Sequence, residues 1–103
     1  MSPHIQARLH FYKTSCGGRK GPLLGPWYGS LCELVGDPIL HECRVLLNDA
    51  ASVSPGQTIV LPITFWARPD LVVPKLHVGL TFFLTEARRR IARGEVVEIL
   101  SEA

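Results

Sequence analysis

The chain has 103 residues, of which 47% are apolar and 19% charged, with a formal net charge of +2. That length suits one domain over 1–103, and the composition excludes a disordered chain, which would pair low hydrophobicity with high net charge. The small net charge also sets the chain apart from dedicated nucleic-acid-binding domains, whose balance is strongly basic.

Eight prolines and nine glycines divide the chain into short segments, the punctuation of an all-β domain. Residues 5–13 alternate, with Ile5, Ala7, Leu9 and Phe11 on one face and Gln6, Arg8, His10 and Tyr12 on the other, which predicts a half-buried strand. Residues 15–26, rich in glycine with Pro22 and Pro26, read as an irregular loop, and 27–34 as a second, less clearly patterned strand. A third strand is expected over 42–47. Ser54-Pro55-Gly56 then has the order of a type II turn, in which proline presets the first central torsion and glycine accepts the positive φ that follows.

Residues 58–66 give the strongest strand pattern, with Ile59, Leu61, Ile63 and Phe65 inward and Val60, Pro62, Thr64 and Trp66 outward. Proline cannot donate to a ladder, so Pro62 points to an edge or a bulge. Residues 67–75 read as a loop around Pro69 and Pro74. A fifth strand is expected over 77–85, with Val78, Leu80, Phe82 and Leu84 inward, and a last one over 94–100. The intervening stretch at 85–93 carries good helix formers behind a possible cap at Thr85, but its place between two short strands favours a hairpin. Six strands with short links fit a closed or nearly closed antiparallel barrel.

Cys16, Cys32 and Cys43 form no CxxC pair and no Cys/His cluster at zinc-finger spacing, and their odd number does not close a disulfide framework. Reduced thiols in a cytoplasmic protein are therefore expected, with no metal and no cofactor. The start of the sequence has no charged leader or apolar core of a secretion signal, and no apolar run is long enough to span a bilayer. His4, His10, His41 and His77 lie far apart and read as surface or satisfied strand residues. Asp37, Asp49 and Asp70 sit in turn contexts. No strand–turn–helix elbow supports a Ser/His/Asp or Cys/His nucleophile, so no catalytic residues are expected.

The order of these features resembles the third, C-terminal barrel domain of elongation factor Tu over nearly the whole chain. The first strand leads into Gly17-Gly18-Arg19, like that family's GGR loop. Gly25, Trp27 and Tyr28 stand where the family has a GYRPQF-like run, and Ser54-Pro55-Gly56-Gln57 where it has its MPGD turn. Residues 79–86 (GLTFFLTE) follow its GLRFAIRE strand, and 91–96 (IARGEV) its VGAGVV strand. The resemblance implies a six-stranded translation-factor barrel that helps to hold the T-stem of aminoacyl-tRNA and touches an exchange factor. It matches Arg19 to the loop arginine, Glu86 to the glutamate after the fifth strand and Arg89 to the arginine of the family's EGGR. It departs at Ala87 and Arg88, which replace two glycines, at the missing Arg-Pro, and at Gln57 in place of aspartate. There is no GxxxxGK[ST], so nucleotide hydrolysis is excluded.

Arg88, Arg89, Arg90 and Arg93, with Arg19 and Lys20 on another loop, read either as solvated residues that shield a sheet edge or as a patch for an acidic protein or RNA phosphates. Tyr12, Trp66 and Phe83 fall on the outward phase of their strands and suggest a protein-docking surface or a contact between copies of the chain. The expectation is a non-catalytic, stand-alone barrel that binds a protein, one of the translation machinery among the options, or a tRNA-like RNA. The alternative is a small structural or regulatory protein that has borrowed the fold.

Overall fold

The computed structural model describes residues 2–47 and 52–100. Eight strands follow one another: β1 (Ile5–Phe11), β2 (Leu23–Leu24), β3 (Trp27–Leu34), β4 (Leu40–Leu46), β5 (Ser52–Val53), β6 (Thr58–Thr64), β7 (Thr81–Glu86) and β8 (Arg89–Ile99). Six of them close into an antiparallel barrel in the order β1-β6-β4-β3-β7-β8, and β2 and β5 pair as a separate ribbon. Closure follows from the two-residue period of the barrel strands. Ile5, Ala7, Leu9 and Phe11 of β1 are all buried, as are Cys43 and Val45 of β4 and Phe82 and Leu84 of β7. One apolar face per strand finds its partners only by curling the sheet around a shared core.

The register explains the places where alternation breaks. Leu84 pairs with Ala92 but Thr85 pairs with Arg90, so Ile91 is an extra residue in β8. This bulge lets Ile91 and Ala92 both be buried in succession, and it turns Arg90 and Arg93 outward. Gly94 is required by packing, because a Cβ there would lie 2.4 Å from the Phe82 ring.

Four details differ from the sequence expectation. Pro62 and Thr64 are buried rather than outward. The main-chain bonds from Phe11 N to Gln57 O and from His4 N to Ile63 O turn the odd-numbered residues of β6 toward β1. Pro62 therefore turns its missing N–H toward β4, whose pairing with β6 spans only Arg44–Thr64 and Val45–Ile63. The fifth barrel strand starts at Thr81, not at 77. Gly79 has a positive φ that turns the chain, and Val78 is 63% exposed. The segment 67–75 holds a helical turn at Pro69–Val72 followed by a 3-10 turn at Val73–Lys75, and Val72 reaches the core. The glycine-rich loop is not wholly irregular either, since it carries β2, whose Leu23 is buried beside Val53 of β5.

The Ser54-Pro55-Gly56 turn forms as expected, with Gln57 N donating to Ser54 O and Gly56 at positive φ. All three cysteines are free. Asp49 lies outside the described residues. Among the described residues no helix is long and apolar enough to cross a membrane.

Candidate functional site: a tryptophan–arginine groove beside a basic hairpin

The β7–β8 connection is a two-residue hairpin. Glu86 pairs with Arg89, and Ala87 and Arg88 between them have φ of 51° and 67°. Positive φ at both central positions is what a tight hairpin requires, and glycine or asparagine normally supplies it.

The loop after β1 reaches this hairpin. Gly18 allows the approach, since a Cβ on it would sit 1.9 Å from the Tyr12 carbonyl oxygen. Arg19 Nη1 then donates to Glu86 Oε2 at 3.0 Å, and its guanidinium lies 5.0 Å from the centre of the Tyr28 ring. The Tyr28 hydroxyl donates to the same carboxylate oxygen. Burial, and then the hydrogen bond to Glu86, push the Tyr28 hydroxyl well above the ordinary tyrosine range.

The basic residues therefore divide. Arg90 places its guanidinium carbon over Phe83, 3.8 Å from the ring centre, and makes two bonds to Glu33 at 3.1 and 2.9 Å. That pairing raises the Arg90 pKa and lowers that of Glu33. Arg93 stands away from the hairpin tip, on the β8 outer wall between His10 of β1 and Phe83 of β7. Lys20, Arg88 and Arg89 are exposed and have no carboxylate partner among the described residues. The structure thus brings Arg19 to Glu86 and leaves a smaller basic tip than the sequence cluster suggested.

Nor do the three outward aromatics form one set. Phe83 is covered by Arg90, and Tyr12 stands edge-on to His10, with ring centres 6.1 Å apart. Trp66 has a different companion. The Arg44 guanidinium lies between Trp66, 4.6 Å from its ring centre, and Trp27, 4.1 Å away. The two indoles remain 47% and 44% exposed. Two cation–π contacts hold the guanidinium in place and leave its N–H groups able to donate. Arg44 has no carboxylate partner among the described residues.

These side chains wall an open groove of ≈ 380 Å³ that runs along β3 past Gly29 and Leu31 to Thr85 and Ala87 at the hairpin. Glu42 and Glu86 also line it. Sequence reasoning singled out Trp66 but not Trp27 or Arg44 as a site. Arg44 is the basic residue on the outward phase of β4, two places from Glu42, a usable signal. Its meeting with two tryptophans depends on β3–β4 and β4–β6 registers that one sequence does not contain.

At the other end of the barrel, His41 is buried and its Nε2 lies 2.9 Å from Asp37 Oδ2, which also accepts from Lys75 Nζ at 2.8 Å. Asp37 Oδ1 caps the turn by accepting from Ile39 N at 3.0 Å. Lys75, His41 and this amide hold the Asp37 carboxyl well below the usual range. Cys32 faces His41 across the β3–β4 ladder but is fully buried. Burial and the neighbouring Cys43 raise its thiol pKa, the opposite of what a nucleophilic thiolate needs. This cluster therefore ties the β3–β4 loop to the helical segment. Among the described residues no three His, Cys, Asp or Glu side chains are grouped to hold a metal.

No protein-family model matches the chain, and no curated protein does.

Proposed function

We propose that the protein is a non-catalytic binding module of the translation-factor barrel type whose groove at Trp27, Arg44 and Trp66 docks a protein partner. The observation that carries this reading is the exposed stack of two tryptophans around one arginine. Large aromatic anchors and arginine are the residues on which protein interfaces concentrate their binding energy, and here Trp27 and Arg44 sit on strands, with Trp66 two residues past the end of β6. The resemblance to elongation factor Tu adds a component of the translation machinery to the candidate partners.

A second reading, a tRNA-like RNA, is favoured by one observation: the Arg19–Glu86 bond draws the two basic loops together and leaves Lys20, Arg88 and Arg89 facing solvent at one end of the barrel. With Arg19 and Arg90 engaged by carboxylates, this patch is the weaker of the two surfaces.

The test is capture from native lysate with tagged protein, with and without nuclease, at low and raised salt. Wild type is compared with a Trp27→Ala/Trp66→Ala pair and with an Arg88→Ala/Arg89→Ala pair. The proposal expects a discrete protein that survives nuclease and salt and is lost with the tryptophans. Retention of that protein by the tryptophan pair would sink it. An RNA that is lost at raised salt and with the arginine pair would establish the second reading instead.

A further inference from the structure

The groove has a second property besides its side chains: its floor is an unpaired strand edge. The bond from Leu47 N to Pro26 O fixes the hydrogen-bonding phase of the β3–β4 ladder, and the bond from Val35 N to Thr81 O fixes that of β3–β7. Both phases give the same result. The main-chain N–H and C=O of even-numbered β3 residues face β4, and those of Trp27, Gly29, Leu31 and Glu33 face the β7 side. The β7 pairing, however, covers only Leu31–Leu34. Beyond it the β7–β8 hairpin turns back at Ala87 and Arg88, so Trp27 and Gly29 direct their main-chain groups into the groove. No partner for them occurs among the described residues. Exposed strand edges are normally blunted or covered, and an open one is a template for another strand.

The cross-strand row through Gly29 adds chemical selectivity. Gly29 pairs with Arg44 on its β4 side. A strand laid on the open side would place one residue beside Gly29 in the same row. Gly29 has no side chain of its own, and the Trp27 ring, 3.4 Å from where a Cβ would sit, borders the path from the incoming side chain to the Arg44 guanidinium. Glu42, the carboxylate that also lines the groove, belongs to the next row, with Leu31 and Thr85. That row is already occupied by β7. The position beside Gly29 is thus addressed by an arginine with free N–H edges and flanked by an indole on either side.

We infer that the groove receives a short extended segment of a partner protein by strand addition to the Trp27–Gly29 edge of β3, with an Asp or Glu of that segment opposite Gly29 bound by Arg44. The inference rests on the groove being the protein-docking surface proposed above, and it specifies how the partner is recognised. Main-chain bonds to Gly29 supply affinity, and the carboxylate reaching Arg44 sets the register. On the same face as the acid, the residue two places along the segment lies against Trp27, while its immediate neighbours point to the other face, beside Tyr28 and Ser30.

The probe is a capped peptide, TVEVT, used with three relatives: TVQVT, TVKVT, and TVEVT methylated on the central main-chain nitrogen. The protein has two tryptophans, both in the groove, so indole emission reports its occupancy directly. Amide exchange followed by NMR reports the edge. In the free protein the Gly29 amide is expected to exchange fast while that of Tyr28, directed at β4, is protected. Adding TVEVT at millimolar concentration is expected to shift indole emission and to protect Gly29. Replacing Glu by Gln in the peptide, or Arg44→Gln in the protein, is expected to weaken binding by about tenfold, TVKVT more, and N-methylation to abolish the protection of Gly29.

Protection of Gly29 in the free protein would overturn the inference, because the edge would already be paired. So would failure of TVEVT to affect either signal, or equal binding by TVKVT. If a captured partner depends on Trp27 and Trp66 yet leaves Gly29 unprotected, docking at the groove stands and strand addition falls. If capture ignores the tryptophans, the docking reading itself has failed.

Discussion

Arg19 and Glu86 meet at 3.0 Å, joining the loop after β1 to the tip of the last hairpin across most of the sequence. Glu86 also accepts the Tyr28 hydroxyl, so one carboxylate holds three segments: the glycine loop, the start of β3 and the end of β7. Replacing it with alanine removes the acceptor of both bonds at once. Because the pair is partly exposed, Glu86→Ala is expected to cost about 1–2 kcal/mol in urea unfolding. The same variant is expected to bring the Tyr28 ionisation down, since the bond to Glu86 contributes to its elevation after burial. A spectrophotometric tyrosine titration of both proteins measures this.

Tyr28 also sets an alkaline limit. Its hydroxyl ionises at higher pH in the folded protein than in the unfolded chain, whose value is 10.0. The folded state therefore keeps a proton that the unfolded state gives up. The stabilisation is complete below the unfolded value and is lost as pH rises above it. Wild type is expected to lose stability above about pH 10, and Tyr28→Phe to lose less over the same range. Equal slopes would show that the hydroxyl is not held as described.

His4 acts at the other end of the pH scale. Its Nδ1 accepts from Phe65 N at 3.0 Å, which needs the neutral ring, and burial lowers its pKa from 6.5. The unfolded chain then binds a proton more readily than the folded one. The contribution is intact above the unfolded value and is lost as pH falls from 6.5 through the lower folded value. His4→Asn, whose side-chain oxygen can accept from the same amide, is expected to flatten that loss in denaturation midpoints taken across this range.

Ala87 and Arg88 occupy a conformation that side chains disfavour. Changing either to glycine is expected to stabilise the fold by about 0.5–1 kcal/mol, the relief of left-handed strain less the extra freedom of the unfolded chain. Destabilisation by Ala87→Gly would contradict the hairpin geometry.

Gly94 and Phe82 make a packing test. Gly94→Ala forces the Phe82 ring to move, at a cost of about 1–3 kcal/mol, and Phe82→Leu in the same chain is expected to recover part of it. Additive losses would mean that the two residues are not in contact.

Where one residue and its neighbours decide the outcome, the sequence was readable. The run from Trp27 to Leu34 is a strand over the expected residues, and the proline and glycine of the Ser54-Pro55-Gly56 turn carry their torsions with them. The hairpin at 85–93 was legible only by its place between strands, since its helix formers argued the other way. Strict alternation misled at Thr64, buried where β6 passes between β1 and β4, and at Val78, freed by the turn at Gly79. The arginine run at 88–90 looked like one patch, but Arg90 is turned by the bulge onto Glu33, a residue far away in the chain. The groove escaped notice for the same reason: Trp27, Arg44 and Trp66 meet through strand register alone.

The place of β1 in the barrel has a consequence for synthesis. β1 pairs with β6 and β8, both of which follow it in the second half of the sequence. During translation its β8-side edge stays open until β8 has left the ribosome. The barrel then closes late, at a seam where Leu100 N donates to His4 O near the two ends of the described residues. Cutting the chain in the β7–β8 turn and linking these neighbouring ends would make β8 and β1 consecutive and let the seam form first.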